Sequence, residues 1–161
     1  MHKKNNYKLQ LWASNPILRS IAEKVENIDS EIQEFCHILQ ELLREYEGVW
    51  LAAPQIGRSL RIIATTQRKK AKRGSGKVIG ETIMINPEIT KQSETQHTSE
   101  EACLSLPWIQ WDVHRYDRIQ VEYSSPDWKK HNKKFHDFDA VIIQHEIDHI
   151  DGILFIDKLT N

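Results

Sequence analysis

The spacing of apolar residues along the chain predicts a long amphipathic helix in its first third. Between Ile28 and Tyr46, apolar positions recur every three to four residues, which is the period of one face of an α-helix. Ser30 followed by Gln33 fits a capping box at its start, and Gly48 predicts its end. The apolar stripe consists of Ile28, Ile32, Phe35, Cys36, Leu39, Leu42, Leu43 and Tyr46.

Three later stretches are rich in β-branched residues and bounded by turn formers, which predicts strands. They read RIIAT, VIGETIMINPEIT and RIQVEYS and occupy residues 61–65, 78–90 and 118–124. Residues 67–77 read QRKKAKRGSGK, a basic run that contains glycine and lacks apolar periodicity. This run predicts a mobile hairpin loop whose charges are solvated, and a local contact with RNA is the less favoured interpretation.

A second helix is predicted near the C-terminus, from Asp137 or Asp139, either of which can cap it, to about Ile150, with Gly152 ending it. Its last turns carry two histidines four residues apart, and residues at that spacing lie one above the other on one helical face. Two neutral imidazoles placed in this way can converge on a metal ion. The predicted inward face consists of Phe138, Val141, Ile142, His145 and His149.

Length and charge narrow the possible functions. A chain of 161 residues is long enough for one domain with a real core, so we expect residues 1–161 to form a single domain. A net charge of -1 and a pI near 6.7 give no electrostatic footprint for nucleic acid, and we expect no specific nucleic-acid partner. No apolar run approaches the roughly 18 residues that span a bilayer, and the N-terminus lacks the apolar segment of a signal peptide. These features predict a cytoplasmic protein without a membrane partner.

The two cysteines, Cys36 and Cys103, have separate explanations. In a cytosolic chain two thiols are expected to be reduced, and Cys36 lies in the apolar stripe of the first helix, where it packs as a small hydrophobe. A catalytic zinc-type site takes three protein ligands and keeps one open position for water, so the two histidines require a third ligand. Cys103 is the candidate, within EEACLSLP, where Pro107 indicates an extended segment or loop. An inert buried thiol is the alternative for Cys103 considered alone.

Three motifs resemble, in order and spacing, those of the peptide deformylase family. They are GVWLAAPQ at 48–55, EACLS at 101–105 and HEIDH at 145–149, and NPILRSIAEKVENID at 15–29 is similar to the family's N-terminal segment. The resemblance covers about residues 9–157. It implies an α+β fold in which mixed or antiparallel sheets pack around a central helix that carries HEIDH.

The resemblance also implies an activity, the metal-dependent hydrolysis that removes the N-formyl group from the N-terminal methionine of newly synthesised proteins and releases formate. The partners would then be N-formylmethionyl nascent peptides. By position, the resemblance assigns proton transfer to Glu146, and stabilisation of the carbonyl oxygen to Gln55 and the backbone N–H of Leu104. It assigns one divalent metal ion, Fe²⁺ or Zn²⁺, to three ligands, which are Cys103, His145 and His149.

The substrate would lie in a cleft beside these groups. The resemblance implies that Gly48, Val49 and Trp50 run along the substrate backbone. Asp148 and Arg115 are candidates for holding the ligand helix, and solvated surface charges are the alternative for both. A slot suited to the flexible methionine side chain is expected on the apolar face formed by Phe138, Val141 and Ile142.

The chain departs from the family pattern in three places. Trp50 and Ala102 stand where the pattern has glycine, a residue often used where backbone approaches a ligand closely. The Trp50 indole either narrows the cleft and alters the substrate range, or points outward or into the core. Many bacterial members continue into a further helix that docks on the ribosome, whereas this sequence stops at Asn161. We therefore expect at most a transient contact with the ribosome.

Two other classes of function compete with this interpretation. A zincin-type protease also carries His-Glu-x-x-His, but it takes its third ligand downstream of the second histidine, where little of this sequence remains. A non-catalytic binding protein with a deformylase-like fold is the other alternative. The complete set of Cys103, His145, Glu146 and His149 argues against it.

Overall fold

The computed structural model describes residues 6–68 and 78–159, the side chains of residues 67, 68, 78 and 79 excepted. The basic run at 67–77 thus lies outside the described residues, apart from the backbone of its first two positions. The helices are α1 (Ser30–Glu45) and α2 (Asp137–Ile150). The strands are β1 (Trp50–Ala52), β2 (Ile62–Arg68), β3 (Val78–Gln92), β4 (Gln96–Cys103), β5 (Leu106–Tyr116), β6 (Arg118–Ser124) and β7 (Lys130–His136).

Both ends of α1 lie within two residues of their predicted positions, but different residues form the caps. The Asp29 side chain is the N-cap and accepts a hydrogen bond from a backbone N–H three residues on, at 2.9 Å, so the predicted cap at Ser30 is one residue late. At the other end, Glu47 adopts a left-handed backbone with φ of 51°. The N–H groups of Glu47 and Gly48 then bond to carbonyls of the last turn.

The strands form two antiparallel groups. Five of them build one sheet in the order β1-β2-β3-β6-β7, and β4 pairs with β5 in a separate hairpin. The three predicted strands are confirmed as β2, β3 and β6. The prediction missed β1, which is only three residues long, and β7, whose sequence KHNKKFH offers little apolar alternation. It described the β4–β5 region only as an extended segment or loop.

Helix α2 lies at the centre of the fold. Every residue from Ala140 to Ile150 is buried, so the single inward face predicted for this helix is wrong. The large sheet covers one side of α2, and the β4–β5 hairpin with the C-terminal segment covers the other. A helix enclosed on both sides needs apolar or paired residues all round rather than a stripe.

The predicted bounds of α2 are confirmed, although its N-cap is different. The N-cap is His136, whose side chain makes no capping bond, and Asp137 and Asp139 lie in the first turn, where negative charge is favoured by the helix dipole. Gly152 follows the helix with φ of 73°, the left-handed conformation that glycine adopts without strain. A Cβ at this position would lie 2.7 Å from the Arg19 carbonyl oxygen.

Three apolar clusters hold these elements together. The first joins α1 to one face of the large sheet and contains Cys36, which is 1% exposed, as predicted. Both cysteines are free, and burial raises the pKa of the Cys36 thiol to about 12. The second, called the α2 cluster here, joins α2 to the other face through residues that include Ala52, Ile63, Ile143 and Ile147. The third lies beneath the hairpin and consists of Leu18, Cys103, Leu106, Val113, Leu154 and Phe155.

The predicted α+β architecture, with antiparallel sheets around a central helix that carries HEIDH, is confirmed. Cys103 is the last residue of β4 and belongs to the cluster beneath the hairpin. Among the residues that the structure describes, no helix has the length and apolar character required to cross a bilayer.

We expect Gly152→Ala to destabilise the fold by about 2 kcal/mol, because a side chain there is strained by the positive φ and meets the Arg19 carbonyl. For a chain of this size, that free energy corresponds to a melting temperature lower by about 4–8 °C, measurable by calorimetry. Ile21→Ala, at a position 75% exposed in the same N-terminal segment, is the control and should leave melting unchanged. Equal melting temperatures for Gly152→Ala and the control would contradict this account.

Candidate metal centre

Three side chains from two elements converge in the interior. Cys103 ends strand β4, immediately before the turn into β5, and His145 and His149 lie on successive turns of α2. One potential ligand atom from each lies within 4.8 Å of the others, and the Cys103 sulfur is 3.2 Å from His149 Nε2. The thiol at the end of β4 thus lies beside the two imidazoles, which the four-residue spacing places on one face of α2.

Glu101 orients the first imidazole. Its Oε2 lies 2.8 Å from His145 Nδ1, so the other ring nitrogen is left for a ligand. That nitrogen, Nε2, is buried and has no hydrogen-bond partner among the described residues. The sequence interpretation gave Glu101 no role. The signal was available, since Glu101 lies two residues before Cys103 and alternate residues of a strand share a face.

A buried ion-pair network stands behind Glu101. The Arg115 guanidinium donates to both oxygens of Glu101, at 2.6 and 2.9 Å, and to Asp148 on the ligand helix. Lys158 donates to the other Asp148 oxygen at 2.7 Å. Arg115 is 2% exposed, so Arg115 and Asp148 are paired groups in the interior rather than solvated surface charges. Burial acts to raise the pKa of Glu101, but hydrogen bonds from Arg115 and His145 outweigh it and lower that pKa to about 2.

Glu146 is in the opposite electrostatic situation. It is fully buried, and neither carboxyl oxygen has a hydrogen-bond partner among the residues described. Burial, followed by the nearby charges of Glu101 and Asp148, raises the pKa of Glu146 well above its ordinary value. A raised pKa makes a carboxylate a stronger base, which suits a group that takes up a proton.

The donor set fits a soft or borderline divalent cation. Burial lowers the pKa of His149 well below its ordinary value, which keeps its imidazole neutral, as a ligand must be. Burial, with the Glu146 charge, raises the pKa of the Cys103 thiol to about 12, so a cation must be adjacent for this thiol to ionise at neutral pH. One thiolate and two imidazoles are typical ligands of such ions, at bond lengths of about 2.0–2.3 Å.

The Gln55 side chain also points into the centre. Gln55 lies in a short 3-10 helix, Ala53–Ile56, that follows β1. Its Oε1 accepts from the Ala52 N–H at 2.8 Å, which turns Nε2 toward the Cys103 sulfur at 3.4 Å and the Ser105 hydroxyl at 3.2 Å. Leu104 is half-buried in the turn directly after Cys103. The Gln55 amide and the turn between β4 and β5 therefore both border the Cys103 sulfur.

Comparison with known proteins agrees with this geometry. The sequence matches the family model described as polypeptide deformylase over residues 11–161. It is 36% identical over 145 residues to a peptide deformylase of Pseudothermotoga lettingae, covering 90% of this chain and 78% of the relative. The chain belongs to the peptide deformylase family. With Cys103 upstream of the histidines, it does not follow the zincin protease arrangement.

Solved peptide deformylases share the fold of this family member. The Thermotoga maritima structure has a TM-score of 0.85 and 31% identity, covering 96% of this chain and 98% of its own. A class I type b peptide deformylase from Acinetobacter baumannii, solved with Met-Ala-Ser bound, has a TM-score of 0.86 and 29% identity, with 94% and 97% covered. The structural similarity to these two proteins extends over nearly the whole of this chain.

The stretch that matches the first deformylase motif forms the edge of the large sheet. The Val49 carbonyl accepts from the Thr66 N–H at 2.8 Å, so this oxygen faces into the sheet. A Cβ on Gly48 would lie 3.4 Å from a methyl carbon of Leu104, which brings the first and second motifs together. The half-buried Trp50 indole lies against α2 rather than pointing outward.

Two cavities divide the three residues of the predicted methionine slot. Phe138 is half-buried, whereas Val141 and Ile142 are each 3% exposed. Phe138 and Val141 line a cleft of about 490 Å³ that also borders Asp117. Ile142 lines a different cavity, of about 260 Å³, between α2 and the large sheet. Periodicity placed these residues on one helix face but could not show what covers that face.

We expect Glu101→Gln to weaken metal binding by about 10- to 100-fold, because it removes the carboxylate that orients His145 and leaves the Arg115 charge with one anionic partner fewer. Dialysis against a chelator series, followed by metal analysis, measures this change. Glu94→Gln, at an exposed position in the link before β4, is the matched control and should retain metal as the wild type does. Unchanged metal retention in Glu101→Gln would show that the carboxylate does not orient the ligand.

Proposed function

We propose that this chain is a metal-dependent peptide deformylase, an amide hydrolase that removes the N-formyl group from the N-terminal methionine of newly synthesised proteins and releases formate. The observation that carries the proposal is the convergence of Cys103, His145 and His149 beside the unpartnered carboxyl of Glu146. The bound Met-Ala-Ser of the A. baumannii relative supports the substrate class, since such a peptide is what deformylation of formyl-Met-Ala-Ser leaves. Formate release from that peptide by the metal-loaded protein tests the proposal.

In this proposal Cys103, His145 and His149 hold one divalent ion, Fe²⁺ or Zn²⁺. The buried and unpartnered Nε2 of His145, together with a thiol that needs an adjacent cation to ionise, supports this ligand set. When bound, such an ion acts as a Lewis acid that lowers the pKa of water to about 7. Glu101 keeps His145 in the tautomer that leaves Nε2 available as a ligand.

Glu146 is the proton carrier of the proposed reaction. Its carboxylate takes a proton from the water that attacks the formyl carbon, and its carboxylic acid then returns the proton to the departing amine. The surroundings that raise the pKa of Glu146 make its carboxylate a stronger base, which favours the first of these steps. No other side chain is needed for this proton transfer.

Gln55 and the backbone N–H of Leu104 stabilise the negative charge that develops on the formyl oxygen. The Gln55 amide is fixed in place by the Ala52 N–H on one side and the Ser105 hydroxyl on the other. A donor fixed before the reaction needs no reorganisation as charge develops. Losing one donor of this kind typically costs about 3 kcal/mol of transition-state stabilisation.

The substrate backbone runs along the edge formed by Gly48, Val49 and Trp50, since an edge strand can pair with an extended peptide. The methionine side chain lies toward the helix face of Phe138, Val141 and Ile142. We further propose that the chain works as one catalytic domain in the cytoplasm, where it meets formylated nascent chains. Contact with the ribosome is transient, since the net charge of -1 gives no general attraction to RNA.

Replacing any metal ligand should remove both metal and activity. We expect Cys103→Ala, His145→Ala and His149→Ala to retain less than about a tenth of the wild-type metal, because three ligands are the minimum for such a site. Metal analysis and formate release measure the two effects. Cys36→Ala, the other buried cysteine, should leave metal content unchanged. Full metal occupancy in Cys103→Ala would contradict the ligand assignment.

Glu146→Gln should separate catalysis from metal binding. The amide keeps the shape of the side chain but cannot accept the proton, so we expect kcat to fall by about 100-fold or more while metal content stays at the wild-type level. Stopped-flow formate detection and metal analysis check the two parts. Glu122→Gln, an exposed carboxyl on β6, is the control. Near-normal turnover in Glu146→Gln would assign the carboxyl a structural role.

A further inference from the structure

The Trp50 indole lies across the face of α2 predicted to receive the first side chain of the substrate. Its ring centroid is 5.8 Å from that of Phe138 and 5.8 Å from that of His145. These two residues are seven positions apart on α2, or about 10.5 Å along the helix axis. A ring equally close to both therefore lies over the turn between them, which carries Val141 and Ile142.

The register of β1 explains why the indole is held there. Trp50 pairs with Thr65, and Ala52 pairs with Ile63 in the neighbouring strand. Residues two apart on a strand point to the same face of a sheet, and Ala52 and Ile63 both belong to the α2 cluster. Trp50 is thus fixed by strand pairing on the face that α2 covers, rather than by a flexible loop.

Among the described residues, Trp50 is the most exposed of the three rings that pack on His145. Of the three rings packed on His145, those of His149 and Phe155, at 4.9 and 6.0 Å, belong to residues that are 1% exposed. Trp50 is half-buried. A substrate that approaches the metal centre beside His145 therefore meets the indole before it meets the other two rings.

We propose, on the basis of the proposed function, that Trp50 determines substrate specificity. The indole takes up space in the pocket for the first side chain, so formyl peptides that begin with a short residue are accepted as readily as those that begin with methionine. The separation of the slot residues supports this, since Phe138 and Val141 line one cleft and Ile142 lines another. A long side chain requires a continuous deep pocket, and a short one does not.

The test compares kcat/KM for formyl-Met-Ala-Ser and formyl-Ala-Ala-Ser with the metal-loaded protein. We expect the wild type to use both within about tenfold. Trp50→Ala should raise the preference for methionine by about tenfold or more, because each additional methylene held by an apolar pocket contributes roughly that factor. Trp50→Phe keeps a smaller ring on the sheet and should give a preference for methionine between those of the wild type and Trp50→Ala. If Trp50→Ala does not fold, Trp50→Phe provides the test.

Trp128→Ala is the matched control, since this indole is 51% exposed in the β6–β7 turn, and it should keep the wild-type ratio. Calorimetric affinities for the products Met-Ala-Ser and Ala-Ala-Ser provide the same comparison without turnover. A ratio in Trp50→Ala within about twofold of the wild type, or a wild-type preference for methionine above about tenfold, overturns the proposal. No formate from either peptide, with metal fully bound, contradicts the proposed function instead.

Discussion

The buried guanidinium of Arg115 is the group on which the candidate metal centre depends. Arg115 lies on β5 and bridges Glu101, on the paired strand β4, and Asp148, on helix α2. Charges removed from water are tolerated only when their partners are in place, and here His145 shares Glu101 Oε2 with Arg115 while Lys158 takes the second oxygen of Asp148. One cation therefore fixes the distance between the hairpin that supplies the thiol and the helix that supplies the imidazoles.

Two glutamates close together take opposite roles because their partners differ. Glu101 receives hydrogen bonds from Arg115 and His145, and these outweigh the effect of burial on its pKa. Glu146 is equally enclosed but lacks such donors among the described residues, and the charge on Glu101 adds to the rise in its pKa. The same side chain thus acts as a fixed anion at one position and can act as a proton carrier at the other.

The local sequence pattern predicted the features that depend on residue spacing within one helix or strand. It missed the features that depend on which strands pair with each other. The bounds of both helices, three strands and the shared helical face of His145 and His149 follow from local patterns. The N-cap of α1 lies one residue before the predicted Ser30, and that of α2 lies one or three residues before the predicted Asp137 or Asp139. The role of Glu101 and the side of the sheet on which Trp50 lies depend on which strand pairs with which, and that information is distributed along the chain. Strand β7 was missed for a related reason, since a mostly exposed strand needs little apolar alternation.

The long sequence separation within the metal centre has a consequence for biosynthesis. Cys103 and His149 are 46 residues apart, and the ion pair that braces their elements also needs Lys158. During vectorial synthesis the thiol therefore leaves the ribosome well before its imidazole partners, and no local segment can form the site on its own. An intact candidate metal centre therefore requires the long-range pairing of the fold to be complete.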